Sequence, residues 1–312
     1  MGVPHVRVIL NPTAGAGAAA RRQEKIEAAF RSHGVPFDIR RTERPGHAGE
    51  LTKQAHMEGI GVVALVGGDG TLNEVMQAFI DDKGNPVAGP HLAMIPSGTG
   101  GDFKRTLGLS GSLEEAVARL AENKPRAIDF GVVRLTASEG GSSIYRAFAN
   151  IASAGIAGET VSVVNATPKW LGGKLSFYLG TIRAIASYTN APLRVKIDGK
   201  VVYEAPLFGV SVANGRFFGG GMMMAPHAAL DDGQFEVIIV GDLPKSRLAA
   251  SLTKIYRGAH IGEPGVLRFQ GKRVELEPLF EWQRVLLELD GEQPGKAPAV
   301  VDIIPRGVTF RN

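Results

Sequence analysis

Three short segments carry most of the residues able to do chemistry. In GGDGTLNE (67–74), Asp69 stands between Gly68 and Gly70, behind Gly67 and ahead of Thr71, Leu72, Asn73 and Glu74. NPTAGAG (11–17) offers Asn11, Pro12, Thr13, Ala14 and Gly15, and PSGTGGDF (96–103) offers Ser97, Gly98 and Thr99. Glycine removes the Cβ that would hold backbone N–H groups away from a phosphate oxygen. A helix opening just after such a loop adds a partial positive charge. The hydroxyls of Thr13, Thr71, Ser97 and Thr99 add donors. A carboxylate at Asp69 can hold Mg²⁺ between nucleotide phosphates or orient an attacking hydroxyl. The loops contain neither G-x-x-x-x-G-K-[ST] nor a G-x-G-x-x-G opening the first helix, which argues against an ordinary P-loop and against dinucleotide binding.

Elements must position these loops, and the apolar runs supply them. VRVIL (6–10), GVVALVGG (61–68) and LAMIPSG (92–98) read as strands leading into the three loops, and FDIRRTE (37–43) reads as another. Helical spacing fills 18–33, 47–58 and 71–80. Strand–helix alternation predicts a parallel sheet covered on both faces. In such sheets ligands bind at the strands' C-terminal edge. After Pro125 short alternating runs take over, which predicts an antiparallel β-sandwich. Asp198-Gly199 and Gly271-Lys272 read as its hairpin turns, and helical stretches fall near 169–189 and 245–257. The expected organisation is a doubly wound α/β nucleotide-binding domain over 1–127 and an antiparallel β-sandwich domain over 128–312. The strands around 300–312 are free to return to the first domain.

Composition narrows the class. The 312 residues are 44% hydrophobic and 21% charged, enough for about two domains. With no cysteine, disulfides and thiolate sites are excluded. No apolar run reaches the roughly 18 residues of a membrane span, and no secretory signal opens the chain, so a cytoplasmic location is expected. A net charge of +4 favours anionic partners. Residues 165–197 hold Lys169, Lys174, Arg183, Arg194 and Lys196 with no acidic residue, beside Trp170, Leu171, Phe177 and Tyr178. That mixture suits an anionic membrane surface and equally suits a packed helix with a solvated basic face.

The motifs, taken in order, resemble the diacylglycerol kinase catalytic family, which includes sphingosine and ceramide kinases and bacterial lipid kinases. The resemblance rests on NPTAG (11–15), GGDGT (67–71) with Asn73 and Glu74, and Pro96, Gly98, Thr99 and Asp102 in a P-x-G-T-x-x-D pattern. AALDDGQFEV (228–237) and LDGE (289–292) extend it into the second half. It implies an ATP-dependent transfer of the γ-phosphate to a hydroxyl of a diacylglycerol-like or sphingoid-like membrane lipid, in a cleft between the domains. ATP would meet the three loops and Thr42. Mg²⁺ would be held by the Asp232 side chain and the carbonyls of Ala229 and Gln234. The general base would be Glu292 or Asp69. Peripheral membrane contact is expected and nucleic-acid binding is not; a homodimer is left open. One departure is Gly101, where the family usually carries Asn. Two other readings stay open: a kinase of a soluble acceptor, as in the NAD kinases, and a non-catalytic nucleotide- or lipid-binding regulator.

Overall fold

The computed structural model describes residues 4–96, 101–122, 124–137, 142–159 and 187–311. The first half runs β1 (Val6–Leu10), α1 (Ala14–Arg21), α2 (Gln23–Ser32), β2 (Phe37–Arg41), α3 (His47–Met57), β3 (Val62–Gly67), α4 (Asp69–Met76), β4 (His91–Pro96), α5 (Asp102–Thr106) and α6 (Leu113–Glu122). Strands β4, β3, β1 and β2 lie side by side, all parallel. Successive strand residues point to opposite faces, and this sorts the apolar side chains into two cores. Val6, Val8, Leu10, Val62, Ala64 and Val66 pack against α2 and α6, while Ile9, Val63 and Leu65 pack against α3 and α4.

The second half runs β5 (Pro125–Ala137), β6 (Ser143–Phe148), β7 (Ile151–Gly155), β8 (Ala191–Ile197), β9 (Lys200–Ala213), β10 (Phe217–Phe218), β11 (Met222–Met223), β12 (Phe235–Gly241), α7 (Lys245–Ile255), β13 (Val266–Gly271), β14 (Arg273–Pro278), β15 (Leu286–Leu289) and β16 (Glu292–Arg311). These strands pair antiparallel around a separate apolar core that includes Val133, Leu193, Val212, Val237, Leu276 and Leu287. β16 is the seam. It pairs antiparallel with β5, β14 and β15, and its end pairs parallel with β4 at Phe310↔Leu92. Val308 and Phe310 enter the first half's core with Ile128 and Phe130. The chain therefore closes on the sheet it began with.

Several local expectations change. The helix read over 18–33 is two helices, because the chain turns at Arg22 (φ −102°, ψ 3°). The helix read over 71–80 starts earlier, at Asp69, and tightens into a 3₁₀ turn at Gln77–Phe79. Asp198-Gly199 is a hairpin turn, with φ of 49° and 79°. Gly271-Lys272 is not: β13 pairs with β12, whereas β14 pairs with β8 and β16. Its N–H neighbours are gathered instead by Asp198, whose carboxylate accepts from Lys272 N and Arg273 N. Most of the helical stretch read over 169–189 lies outside the described residues.

Candidate active site

Because β1, β3 and β4 are parallel, the loops that follow them leave from one edge of the sheet. Side chains then tie the loops together. Asn11 Nδ2 donates to Thr71 Oγ1 at 3.1 Å, and Asn11 Oδ1 accepts from the Thr13 backbone and hydroxyl. Pro12 follows Asn11, and Ala14 and Gly15 form the first turn of α1. Thr42 is buried beside this edge, its N–H bonded to Leu10 O. Gly67 is required by the turn itself, since a Cβ there would sit 2.5 Å or less from the Thr71 side chain. Gly68 is extended and caps α4.

Within α4 the expected nucleotide residues divide. Thr71 and Leu72 are buried, and Leu72 packs in the core, leaving only its backbone toward the loop. Glu74 accepts the Ala48 N–H at the start of α3. Asn73 reaches the second half, with Nδ2 3.4 Å from Leu289 O. Ser97, Gly98 and Thr99 lie outside the described residues.

Asp69 is engaged on both oxygens. Oδ2 accepts from Asp102 N at 2.8 Å and Oδ1 from Phe103 N at 3.2 Å. The carboxylate thus caps α5 from the neighbouring loop, satisfying donors that a helix start leaves free. Asp102, in turn, is buried and bridges to the second half. Its Oδ1 accepts from Arg105 Nη1 at 2.8 Å and its Oδ2 from Gly220 N at 2.7 Å. Burial raises its pKa against the pull of those donors. Gly101 explains the departure from the expected Asn. Its backbone sits at φ 142°, ψ 93°, and a Cβ would stand 3.2 Å from that of Lys104. Restoring the side chain with Gly101→Asn is therefore expected to cost about 1–3 kcal/mol of stability, read by denaturant unfolding. Unchanged stability would refute this.

Glu292 is positioned by a turn. Asp290 (φ 49°) and Gly291 (φ 93°) join β15 to β16 as a two-residue hairpin, with Leu289 opposite Glu292. The Asp290 carboxylate accepts from Ala149 N, Ile151 N and Asn150 N, pinning the turn on the link into β7. Desolvation pushes Asp290 up to about 7 despite these donors. Glu292 then points at the Asp69 loop, where a Cβ on Gly70 would be 3.8 Å from its Oε1. Its carboxylate has no hydrogen-bond or ion-pair partner among the described residues. Desolvation, and secondarily the Glu74 charge, raise its pKa.

Both candidate bases open into one cavity of about 1010 Å³. Its lining combines Asp69, Asp102, Arg105 and Glu292 with Ile156 and with apolar side chains of β7, β9, β12 and α7, among them Phe208, Val240 and Leu248. That volume is at the top of the range of small-molecule sites, roughly 300–1,000 Å³. The proposed metal residues lie elsewhere. Asp232 is exposed on the turn before β12, its Oδ1 accepting from Gln234 N at 3.0 Å, and none of Ala229, Asp232 and Gln234 lines the cavity. No group of three or more His, Cys, Asp or Glu able to hold a metal occurs among the described residues. The turn's donors are all oxygen, one carboxylate with two main-chain carbonyls, which suits a hard divalent cation that keeps several waters. The fully buried Asp129 braces this turn, accepting from Gly233 N and Arg306 N at 2.7 Å each.

Of the basic residues read as a membrane face, Arg194 and Lys196 sit on β8 and are ion-paired with Glu204, Glu275 and Glu277. Lys169, Trp170, Leu171, Lys174, Phe177, Tyr178 and Arg183 are outside the described residues. The sequence did not single out Arg105 or Glu288, and it carried Asp290 only as part of LDGE (289–292). Arg105 was findable from its helical spacing of three after Asp102. Glu288 shows itself only through burial, and the role of Asp290 only through its contacts.

Residues 5–133 match the diacylglycerol kinase catalytic domain, and residues 150–311 match the YegS C-terminal NAD kinase beta sandwich-like domain. The chain is 30% identical over 297 residues to the "Diacylglycerol kinase" of Staphylococcus haemolyticus, covering 94% of this chain and 83% of that protein. It is also 30% identical over 315 residues to the "Probable lipid kinase YegS-like" of Xanthomonas euvesicatoria, covering 98% and 95%. A crystal structure of a diacylglycerol kinase from Bacillus anthracis superposes with TM-score 0.72 at 19% identity over 99% of this chain and 96% of that one. Yeast NADH kinase superposes at 0.52 with 13% identity, over 99% and 83%, a likeness of fold alone.

Proposed function

The chain belongs to the diacylglycerol kinase family of lipid kinases, and from that premise we propose that it transfers the γ-phosphate of ATP to a hydroxyl of a membrane lipid held between Glu292 and the Asp69 loop. The observation that carries this reading is the cavity. Its lining brings the unpartnered Glu292 carboxylate and the Asp69 loop together with apolar walls, in a volume large enough for a lipid chain. A soluble dinucleotide acceptor offers nothing to fill such walls.

The roles follow from the contacts. The loops at Asn11–Gly15 and Gly67–Glu74 present backbone N–H groups to the nucleotide phosphates, with Thr42 at their side. Arg105, aimed by Asp102, faces the transferred phosphoryl group. Glu292 accepts the proton of the lipid hydroxyl; its raised proton affinity and free oxygens suit that task. Asp69 acts as a positioning residue, holding α5 and hence Arg105 in place. Mg²⁺ at Asp232, with the carbonyls of Ala229 and Gln234, would supply a fixed positive charge that stiffens the turn. For membrane contact, the exposed, stacked pair Phe280 and Trp282, 5.6 Å apart, suits a lipid–water interface.

The test is incubation with γ-labelled ATP and a total lipid extract. A labelled, organic-extractable phospholipid is expected. Label confined to water-soluble products, or nucleotide binding with no transfer, would overturn the reading.

A further inference from the structure

The β10–β11 ribbon stands apart from the large sheet. Phe217 pairs with Met223 and Phe218 with Met222, and among the described residues this two-stranded sheet shares no ladder with any other strand. Yet Phe218, Met222 and Met224, with the glycines at the ribbon's tip, line the cavity. A two-stranded ribbon is marginal by itself, so the groups that hold its flanks decide where that wall stands. On one flank they come from the second half: Asn150 Nδ2 donates to Phe217 O at 2.6 Å, and Arg216 Nε donates to Ala228 O at 2.9 Å. On the other flank they come from α5 of the first half. Gly220 N donates to Asp102 Oδ2 at 2.7 Å, and Arg216 N donates to Thr106 Oγ1 at 3.1 Å. The one Thr106 hydroxyl proton goes to Asp102 O at 3.3 Å, which leaves its lone pairs for the ribbon. The approach is close: a Cβ on Gly221 would stand 2.7 Å from Arg105 Nη1.

We propose that α5 and this ribbon act as one clamp, with Thr106 as its positioning residue, so that nucleotide and lipid each bind more tightly when the other is present. The inference rests on the lipid-kinase reading and adds how its two substrates act on each other. The Asp69 carboxylate fixes the start of α5 from the nucleotide loop. Order that a nucleotide imposes on that loop passes to α5, and through Asp102 and Thr106 to the ribbon. An apolar chain packed on Phe218, Met222 and Met224 works in the opposite direction, holding the ribbon and with it α5 and Arg105. A ligand that meets a wall already held loses less freedom than one that must order it, and coupling between two binding sites is reciprocal. Asp102 lines the cavity and aims Arg105, so its replacement would disturb the site directly. Thr106 is absent from the lining and acts only through Asp102 and Arg216.

The test measures by calorimetry how tightly the non-hydrolysable analogue AMP-PNP binds with Mg²⁺, in detergent micelles with and without a total lipid extract. In the same micelles γ-labelled ATP reports transfer. Wild-type protein is expected to bind AMP-PNP about 5- to 20-fold more tightly when the lipids are present. Thr106→Val keeps the shape of the side chain and removes its hydroxyl. It should bring that ratio toward one while leaving AMP-PNP affinity in lipid-free micelles within about twofold of wild type. Thr106→Ser keeps the hydroxyl and should keep the ratio. A merely structural Thr106 would lower the unfolding midpoint of the valine variant and leave the ratio intact. If Thr106→Val does not fold, the wild-type ratio and the serine variant still decide. Equal AMP-PNP affinity with and without lipid in the wild type, loss of the ratio in Thr106→Ser, or an unchanged ratio in Thr106→Val overturns the clamp. Label reaching lipid in those micelles would then leave the kinase reading intact. Absence of phosphate transfer to any lipid overturns both.

Discussion

Replacing Glu292 by glutamine is expected to lower kcat for lipid phosphorylation by about 10²- to 10⁴-fold while leaving the KM for ATP unchanged. The glutamine keeps the shape of the turn set by Asp290 and removes only the ability to take a proton. Nothing in the described fold depends on the Glu292 carboxylate, so the thermal unfolding temperature should not fall. It should rise slightly, because the variant no longer crowds a second carboxylate against Glu74. The pH dependence carries the same signature. A base works only when ionised, and Glu292 has a raised pKa, so activity is lost as pH falls through a value higher than an ordinary glutamate would show. Glu74→Gln removes a neighbouring negative charge, lowers that pKa, and should move the acid limb of kcat to lower pH. A glutamine variant at position 292 with near wild-type kcat would remove Glu292 from the chemistry.

The glycine-rich loops were legible because their signal is local. A buried strand, then Gly, Asp or Thr, then a helix places a phosphate-type turn wherever the sheet lies, and parallel pairing put two of them on one edge. The residues that complete the site were not legible, because their meaning is set by contacts far along the chain. Asp102 reads as a motif aspartate, yet one of its oxygens is spent on Gly220, 118 residues away. Asp290 reads as the first half of a D-G turn, which it is. Its carboxylate, however, serves three N–H groups about 140 residues earlier. Glu288 looks like the polar member of an alternating strand. Only the cross-strand register with Ser153 and Ser211 shows that it faces inward. Gly271-Lys272 failed for the related reason that turn chemistry reports a change of direction and not the partner strand. Gly101 illustrates the converse. From family habit it looks like a lost side chain, while the backbone at φ 142° explains why none is present.

Asp69→Ala and Asp69→Asn are both expected to abolish measurable transfer, and the way they do so separates positioning from proton abstraction. Both Asp69 oxygens accept backbone N–H groups at the start of α5. Alanine leaves those two donors without an anionic partner, a loss of about 1.5–3 kcal/mol. Asparagine preserves one acceptor but turns an amide N–H toward the other donor, so it should cost nearly as much. Release of α5 also frees Arg105, which Asp102 aims only while that helix holds its place. Both variants should therefore unfold at lower denaturant concentration and show a raised KM for ATP along with the fall in kcat. A pure general base gives a different pattern: its isosteric asparagine variant would keep wild-type stability and nucleotide affinity and lose kcat alone. Should Asp69→Asn show that pattern while Glu292→Gln stays active, the roles of the two carboxylates exchange. Asp69 would then take the proton, and Glu292 would serve only to shape the cavity.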